Sequence, residues 1–122
     1  MATVRYLVSD VDRASRFYVD QLGFALESQM GSAFAMVRAP DGLLLWLSGP
    51  QSSAARPMPD GRQPEPGGWN RIVIEVPDLE QRVESTRAAG ISFRNAIVSG
   101  PGGKQILVED TEGNIIELFE PR

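Results

Sequence analysis

Histidine and cysteine are both absent from this 122-residue chain. Without histidine, no imidazole is present to act as a general base or as a metal ligand. Without cysteine, the chain forms no disulfide bond and offers neither a thiolate metal site nor a thiol nucleophile. Every mechanism that depends on imidazole or on a thiolate is therefore excluded.

The chain also lacks an excess of positive charge and any long apolar run. Its net charge is −4 at pH 7, which argues against nucleic acid and against an anionic membrane as partners. No apolar segment is long enough to span a membrane or to resemble a signal peptide. We therefore expect a cytoplasmic protein.

The residues that are present describe an ordinary globular domain. Hydrophobic residues make up 42% of the chain and charged residues 23%, which is typical of a soluble domain with a packed core. A chain of this length is near the usual size of one domain. The sequence predicts a single domain.

A pattern of one strand, one helix and three strands occurs twice. The first copy has strands at 3–8, 24–29, 32–38 and 42–48, with a helix between Asp10 and Gly23; the second has strands at 70–76, 91–97, 104–109 and 113–119, with a helix between Asp78 and Gly90. The aspartates suit helix N-caps and the glycines suit helix ends. An internal repeat of this size predicts an α+β fold of two like modules.

The segment between the two copies is rich in Pro, Gly and Ser. We place module one at residues 1–49, the connector loop at 50–68 and module two at 69–122. A loop of this length is uncommon in a compact domain and is usually a lid or a linker. Two interpretations stay open: the loop partly covers a cleft, or it only links the modules.

Several motifs resemble those of the glyoxalase / bleomycin-resistance / extradiol dioxygenase superfamily, also called the vicinal oxygen chelate superfamily. They are Asp10-Val11-Asp12, Phe17-Tyr18, Leu22-Gly23-Phe24, Glu109-Asp110-Thr111-Glu112-Gly113-Asn114 and Ile116-Glu117-Leu118. The resemblance implies two βαβββ modules in tandem, which form a curved mixed sheet around a cleft. It also implies a small-molecule ligand and a homodimer. Because this fold supports many activities, it does not identify the function.

Metal-dependent members of this family hold a divalent ion with four side chains. The corresponding positions here are Thr3, Trp46, Arg71 and Glu117. Only Glu117 is a usual ligand type, because tryptophan offers no lone pair and arginine carries a fixed positive charge. We therefore expect no metal site and no cofactor.

Strand alternation predicts which side chains line the cleft. The predicted ligand-binding residues are Thr3, Arg5, Trp46, Ser48, Arg71 and Phe119. Glu117 and Glu75 lie on the same faces and are the candidate catalytic bases. Two structural interpretations compete with these roles: Arg71 and Glu117 form an ion pair, and Trp46 packs in the core.

Three functions remain under consideration. The first is a metal-independent binder of a small aromatic or amphipathic molecule, such as an antibiotic or a metabolite. The second is a metal-free isomerase or lyase, in which Glu117 or Glu75 is the general base and Arg71 steadies a developing oxyanion. The third, a metal-dependent lyase or dioxygenase, is disfavoured by the missing ligands. Whether the chain is an enzyme is left open at this stage.

Overall fold

The computed structural model describes residues 3–122. Its elements in chain order are β1 (Val4–Leu7), α1 (Val11–Leu22), β2 (Ala25–Met30), β3 (Phe34–Arg38), β4 (Leu44–Ser48), a 3-10 helix (Ser53–Ala55), β5 (Ile72–Glu75), α2 (Leu79–Ala88), β6 (Val98–Gly100), β7 (Gly103–Glu109) and β8 (Ile115–Pro121). The predicted α+β class and the tandem βαβββ modules are confirmed.

The chain divides into two compact units, Met1–Gly67 and Gly68–Arg122. Each unit contains a four-stranded mixed sheet, with strand orders β1-β4-β3-β2 and β5-β8-β7-β6. In both sheets the first strand of the module pairs in parallel with the last strand, and the other pairings are antiparallel. The two modules therefore share one topology.

The helix boundaries follow from short polar caps and one glycine. The side chain of Asp10 accepts a hydrogen bond from the Arg13 backbone N–H at 3.0 Å, and Asp78 accepts the equivalent bond from Gln81 at 3.2 Å. These bonds satisfy backbone donors that the first helical turn leaves free. Gly23 ends α1 with φ of 74°, a conformation that glycine adopts without a steric penalty.

One face of each sheet carries the core of its module. In the first module, α1 packs on β3 and β4. The fully buried residues of that core include Tyr18, Ala35, Val37, Leu45 and Leu47. The second core contains Leu79, Ile106, Ile116 and Leu118, which are also fully buried. Because side chains alternate along a strand, the other face of each sheet presents a second set of residues.

The prediction of a strand at residues 91–97 was wrong. That segment forms a single isolated bridge, Phe93 with Val108, and the edge strand is instead β6. Within 91–97, the Asn95 side-chain oxygen accepts the Leu107 N–H at 3.0 Å. A side chain thus takes the place of a ladder carbonyl, and regular pairing does not continue.

The connector loop contains one short regular element, the 3-10 helix, and otherwise has no helix or strand. Its residues Pro50, Ala55, Pro64 and Pro66 border a cavity of ≈ 190 Å³ together with residues at the end of β1. The loop therefore packs on its own module. Among residues 3–122, no helix is both long and apolar enough to cross a bilayer.

Candidate functional site

Arg5 and Trp46 lie side by side on the face of the first sheet that points away from α1. Arg5 in β1 is opposite Trp46 in β4 in the parallel register. The Arg5 guanidinium carbon is 5.0 Å from the centroid of the indole ring, within the range of a cation–π interaction. This interaction holds the positive charge of Arg5 beside the aromatic ring of Trp46.

β3 adds two residues to this surface. Met36 is opposite Trp46 in the antiparallel register, and Phe34 is opposite Ser48. The Phe34 ring meets the indole edge to face, with centroids 5.7 Å apart and an interplanar angle of 77°. We name this surface the aromatic face; its members are Arg5, Phe34, Met36, Trp46 and Ser48. Phe34 and Met36 were not predicted as site residues, although their alternation with the buried Ala35 and Val37 was a usable signal.

Two polar groups of the aromatic face are buried without a hydrogen-bond partner. In residues 3–122, three buried side-chain polar atoms lack a partner, and two of them are Trp46 Nε1 and Ser48 Oγ; the third is Thr111 Oγ1. Ser48 has no exposed surface. An unsatisfied buried polar group costs roughly 1–3 kcal/mol, so a protein rarely keeps such groups without a reason.

The equivalent surface of the second module carries an ion pair. Arg71 donates to Glu117 Oε1 from Nη2 at 2.9 Å and from Nε at 3.1 Å. The two side chains are 28% and 10% exposed, so solvent screens the pair only in part. This is the ion pair that the sequence suggested. Glu117 Oε2 receives neither arginine bond.

An exposed tryptophan precedes this ion pair. Trp69 is 71% exposed, and the Arg94 guanidinium carbon lies 5.1 Å from the centroid of its ring. Arg94 is itself held by Glu109 at 2.5 Å and by the Gly113 carbonyl at 3.2 Å. The indole is therefore fixed in orientation although most of its surface meets solvent.

The other predicted site residues take part in none of these contacts. Thr3 lies just before β1 and is half-buried. Glu75 is exposed and lies opposite the half-buried Phe119 in the register of β5 with β8. In the part of the chain that is described, neither Arg5 nor Glu75 belongs to an ion pair.

The strand registers test the equivalence of the two modules. Arg5 is opposite Trp46 in the first sheet, and Val73 is opposite Glu117 in the second. Thr3 and Arg71, each two residues earlier, are therefore equivalent positions.

The four family metal positions do not fit a divalent ion. Trp46 Nε1 is a donor without a lone pair, and Arg71 places its positive charge directly on Glu117, the one carboxylate of the set. Hard cations need several oxygen ligands, and this set offers one carboxylate and one hydroxyl.

A lysine contacts two members of a separate acidic cluster. Asp78, Glu80 and Glu120 form the one group of three or more acidic ligands found among residues 3–122. Lys104 Nζ donates to both Glu80 oxygens, at 2.7 and 2.9 Å. These bonds lower the pKa of Glu80 and raise the pKa of Lys104. Lys104 Nζ also lies 3.6 Å from Glu120 Oε2, so a lysine already pairs with two of the three carboxylates.

Three surface cavities lie within single modules. None of them is lined by a predicted site residue. The largest of the three, at ≈ 560 Å³, lies along α2 and is bordered by Glu80, Val83, Glu84, Arg87, Ala88 and Ile97. Its lining combines apolar side chains with three charged ones, and it contains none of the aromatic rings that the aromatic face offers.

The fold and these motifs match one family model across nearly the whole chain. The model, described as the Glyoxalase/Bleomycin resistance protein/Dioxygenase superfamily, matches residues 1–118. The chain belongs to this superfamily. Among curated proteins, none matches the chain significantly.

Solved structures of this superfamily share the fold. Lactoylglutathione lyase from Agrobacterium tumefaciens is 18% identical, with a TM-score of 0.77, 98% of this chain covered and 92% of that chain. A superfamily member from Sphaerobacter thermophilus DSM 20745 is 25% identical, with a TM-score of 0.74 and coverages of 98% and 97%. The antibiotic binding protein TnmS3 from Streptomyces sp. CB03234 is 22% identical, with a TM-score of 0.70 and coverages of 100% and 97%. A lyase and a binding protein thus occupy the same fold.

Proposed function

We propose that this superfamily member is a metal-independent binding protein for a small aromatic or amphipathic molecule. The observation that carries the proposal is the aromatic face, where the Trp46 N–H and the Ser48 hydroxyl are buried without partners. Apolar walls with a few placed polar groups are typical of small-molecule sites. A bound acceptor atom would restore the hydrogen bonds that the free protein lacks.

The chemical class of the ligand follows from the shape and chemistry of this surface. Trp46 and Phe34 offer flat rings at an angle of 77°, which suits a planar ligand. TnmS3, a protein of the same fold, is an antibiotic binding protein. We therefore propose an antibiotic or an aromatic metabolite as the ligand.

We also propose that the protein has no membrane or nucleic-acid partner. It would work as a cytoplasmic homodimer.

Tryptophan fluorescence tests this function directly. The chain has two tryptophans, and the Trp69→Phe variant leaves Trp46 as the sole reporter. We expect a saturable change in its emission with at least one compound from a panel of aromatic metabolites and antibiotics. Calorimetry on Trp46→Phe should then show at least about tenfold weaker binding, the loss expected for roughly 1.4 kcal/mol of contact energy.

The same titration tests metal independence. Protein dialysed against EDTA should bind as tightly as untreated protein, because the donor set does not fit a divalent ion. The proposal fails if no compound binds, if Trp46→Phe binds every ligand as tightly as the wild type, or if added Mn²⁺, Ni²⁺ or Zn²⁺ is needed for binding.

A metal-free enzyme is the second candidate, and the environment of Glu117 favours it. Glu117 is buried, with 8% of the residue exposed, and its Oε2 atom accepts no hydrogen bond from Arg71. A carboxylate with one free oxygen can accept a proton from a carbon acid, and the adjacent arginine can stabilise an oxyanion. The exposed Glu75 is the alternative base.

Turnover of a carbon-acid substrate that persists in the presence of chelators and disappears in Glu117→Gln would support this candidate. Retained turnover in Glu117→Gln would exclude Glu117 as the base, and Glu75→Gln would then make the same test for the second carboxylate.

A further inference from the structure

The polar groups of the aromatic face that lack a hydrogen-bond partner are all able to donate a hydrogen bond. The indole N–H of Trp46 donates and has no acceptor lone pair, and a guanidinium likewise only donates. The Ser48 hydroxyl can donate as well as accept. A ligand that bonds to Trp46 and Arg5 must therefore present acceptor atoms, and such atoms can also accept from the Ser48 hydroxyl.

The charge on this face that has no ionic partner is positive. In β1, β3 and β4, the residues that alternate with the core are Arg5, Leu7, Phe34, Met36, Arg38, Leu44, Trp46 and Ser48. None of them carries a carboxylate. Arg38 is already paired with Glu27, so Arg5 provides the free positive charge of the set.

Arg5 is exposed and makes no ion pair among residues 3–122. Its stacking on Trp46 holds the planar guanidinium beside the ring and leaves its N–H groups free at the edge. A guanidinium in this position can bind a carboxylate through two parallel hydrogen bonds. By contrast, Arg71 already donates hydrogen bonds to Glu117 from Nε and Nη2.

We infer, on the basis of the proposed function, that the ligand of the aromatic face is an aromatic acid. Its ring lies against Trp46 and Phe34, and its carboxylate accepts hydrogen bonds from Arg5 and from the Trp46 N–H. The net charge of −4 repels an anion at long range, so the preference comes from these short contacts and not from steering. Salt therefore weakens binding only modestly.

Three matched probes test the charge preference: 2-naphthoate, 2-naphthamide and 2-naphthylmethylammonium. They share one ring system and differ in the charge and hydrogen bonding of the substituent. We expect the wild-type chain to bind naphthoate about tenfold or more tightly than naphthamide, and to bind the ammonium probe most weakly, as charge-assisted hydrogen bonds are about twice as strong as neutral ones.

Arg5→Gln should reduce the ratio of naphthoate to naphthamide affinity to near one. Arg16→Gln is the matched control, because it removes the same charge from an exposed position on α1 and should keep the ratio. Arg5→Lys, which keeps the charge without the planar fork, should give an intermediate ratio.

The indole ¹H–¹⁵N signal of Trp46 provides a second readout. The Trp69→Phe variant assigns it, since two tryptophans give two such signals. Naphthoate should move this signal downfield as the N–H gains an acceptor, and the ammonium probe should not.

The outcomes distinguish failure of the proposed binding function from failure of the proposed preference for an acid. If none of the probes or panel compounds binds, the proposed function and this inference both fail. If compounds bind but the amide or the ammonium equals the acid, or if Arg5→Gln keeps the acid preference, the inference fails and the binding function stands.

Discussion

Ser48 is completely buried, yet its hydroxyl group has no hydrogen-bond partner among residues 3–122. In the free protein this group lowers stability, because it has lost its bonds to water and gained none in return. In a complex it can bond to a ligand. Stability and binding therefore make opposite demands on this position, as is common at functional sites.

Replacing Ser48 with alanine tests this conflict. We expect Ser48→Ala to increase the free energy of unfolding by about 1 kcal/mol, because it removes an unsatisfied polar group and leaves the small side-chain volume nearly unchanged. Urea denaturation measures the change. A loss of stability of similar size would mean that the hydroxyl has a partner in the folded protein.

The residues of the site were predictable to different degrees. The pairing of Arg71 with Glu117 followed from opposite charges at two positions that the repeat brings to the same face. The missing partners of Trp46 Nε1 and Ser48 Oγ did not follow from the sequence, because hydrogen bonding depends on atoms that are remote in the chain. Phe34 was within reach of strand alternation and was overlooked.

At the scale of single elements, β7 begins at a glycine that no other residue can replace without distortion. Gly103 has φ of 151°, and a Cβ atom there would lie 2.1 Å from the backbone oxygen of Glu120. Residue 103 is paired with Gly100 on one side and with Pro121 on the other. The close approach of β8 requires a residue without a side chain.

Gly103→Ala should therefore lower the free energy of unfolding by roughly 3 kcal/mol, since the clash involves backbone and cannot be relieved by a rotamer change. Gly102→Ala is the matched control. Outside its chain neighbours, the nearest atom to an added Cβ there would be Phe119 Cζ at 4.0 Å, so a change within about 0.5 kcal/mol is expected. Equal losses in the two variants, measured by urea denaturation, would contradict the assignment of strain to position 103.

Helices and central strands were predicted better than the edge of the second sheet. The caps Asp10 and Asp78 act through neighbours three residues away, so the local sequence contains the whole signal. The segment 91–97 has β-forming residues, but its pairing depends on Asn95 meeting Leu107. That contact is set by tertiary structure, which overrides strand propensity at an edge.

At the scale of the whole molecule, the ion pair of Glu80 with Lys104 joins α2 to β7 and makes stability depend on pH. The bond from Lys104 lowers the pKa of Glu80 below the ordinary glutamate value of 4.5. This contribution is present above pH 4.5 and is lost as the pH falls through the lowered pKa of the folded state. Glu80 also raises the pKa of Lys104 above 10.5, so that contribution is present below pH 10.5 and is lost as the pH rises through the raised pKa.

The stability difference between the wild type and Lys104→Met should therefore be constant near neutral pH and should shrink at both extremes. Lys104→Arg separates the loss of stability in acid from the loss at high pH, because arginine stays charged at high pH. It should lose stability in acid as the wild type does and should lack the alkaline loss at this site. Unfolding curves across the pH range give the answer; a pH-independent difference would show that the pair contributes nothing.

The repeat was the feature of the whole molecule that the sequence predicted best. Its two copies have the same order of caps, helix and strands, and the structure gives both the same strand order. The function was harder to predict, since a lyase and an antibiotic binding protein share this fold. The site had to be argued from contacts that appear only in the folded chain.

The parallel pairing of each module's first and last strands has a consequence for the order of folding. The β3–β4 and β7–β8 hairpins join neighbouring segments, whereas β1 with β4 and β5 with β8 join residues about 40 positions apart. Closing the longer loops costs more chain entropy, so we expect the hairpins to form early and the opening strands to dock late. Arg5 would then reach Trp46 in the last step, and the surface proposed for the ligand would be complete only when its module has finished folding.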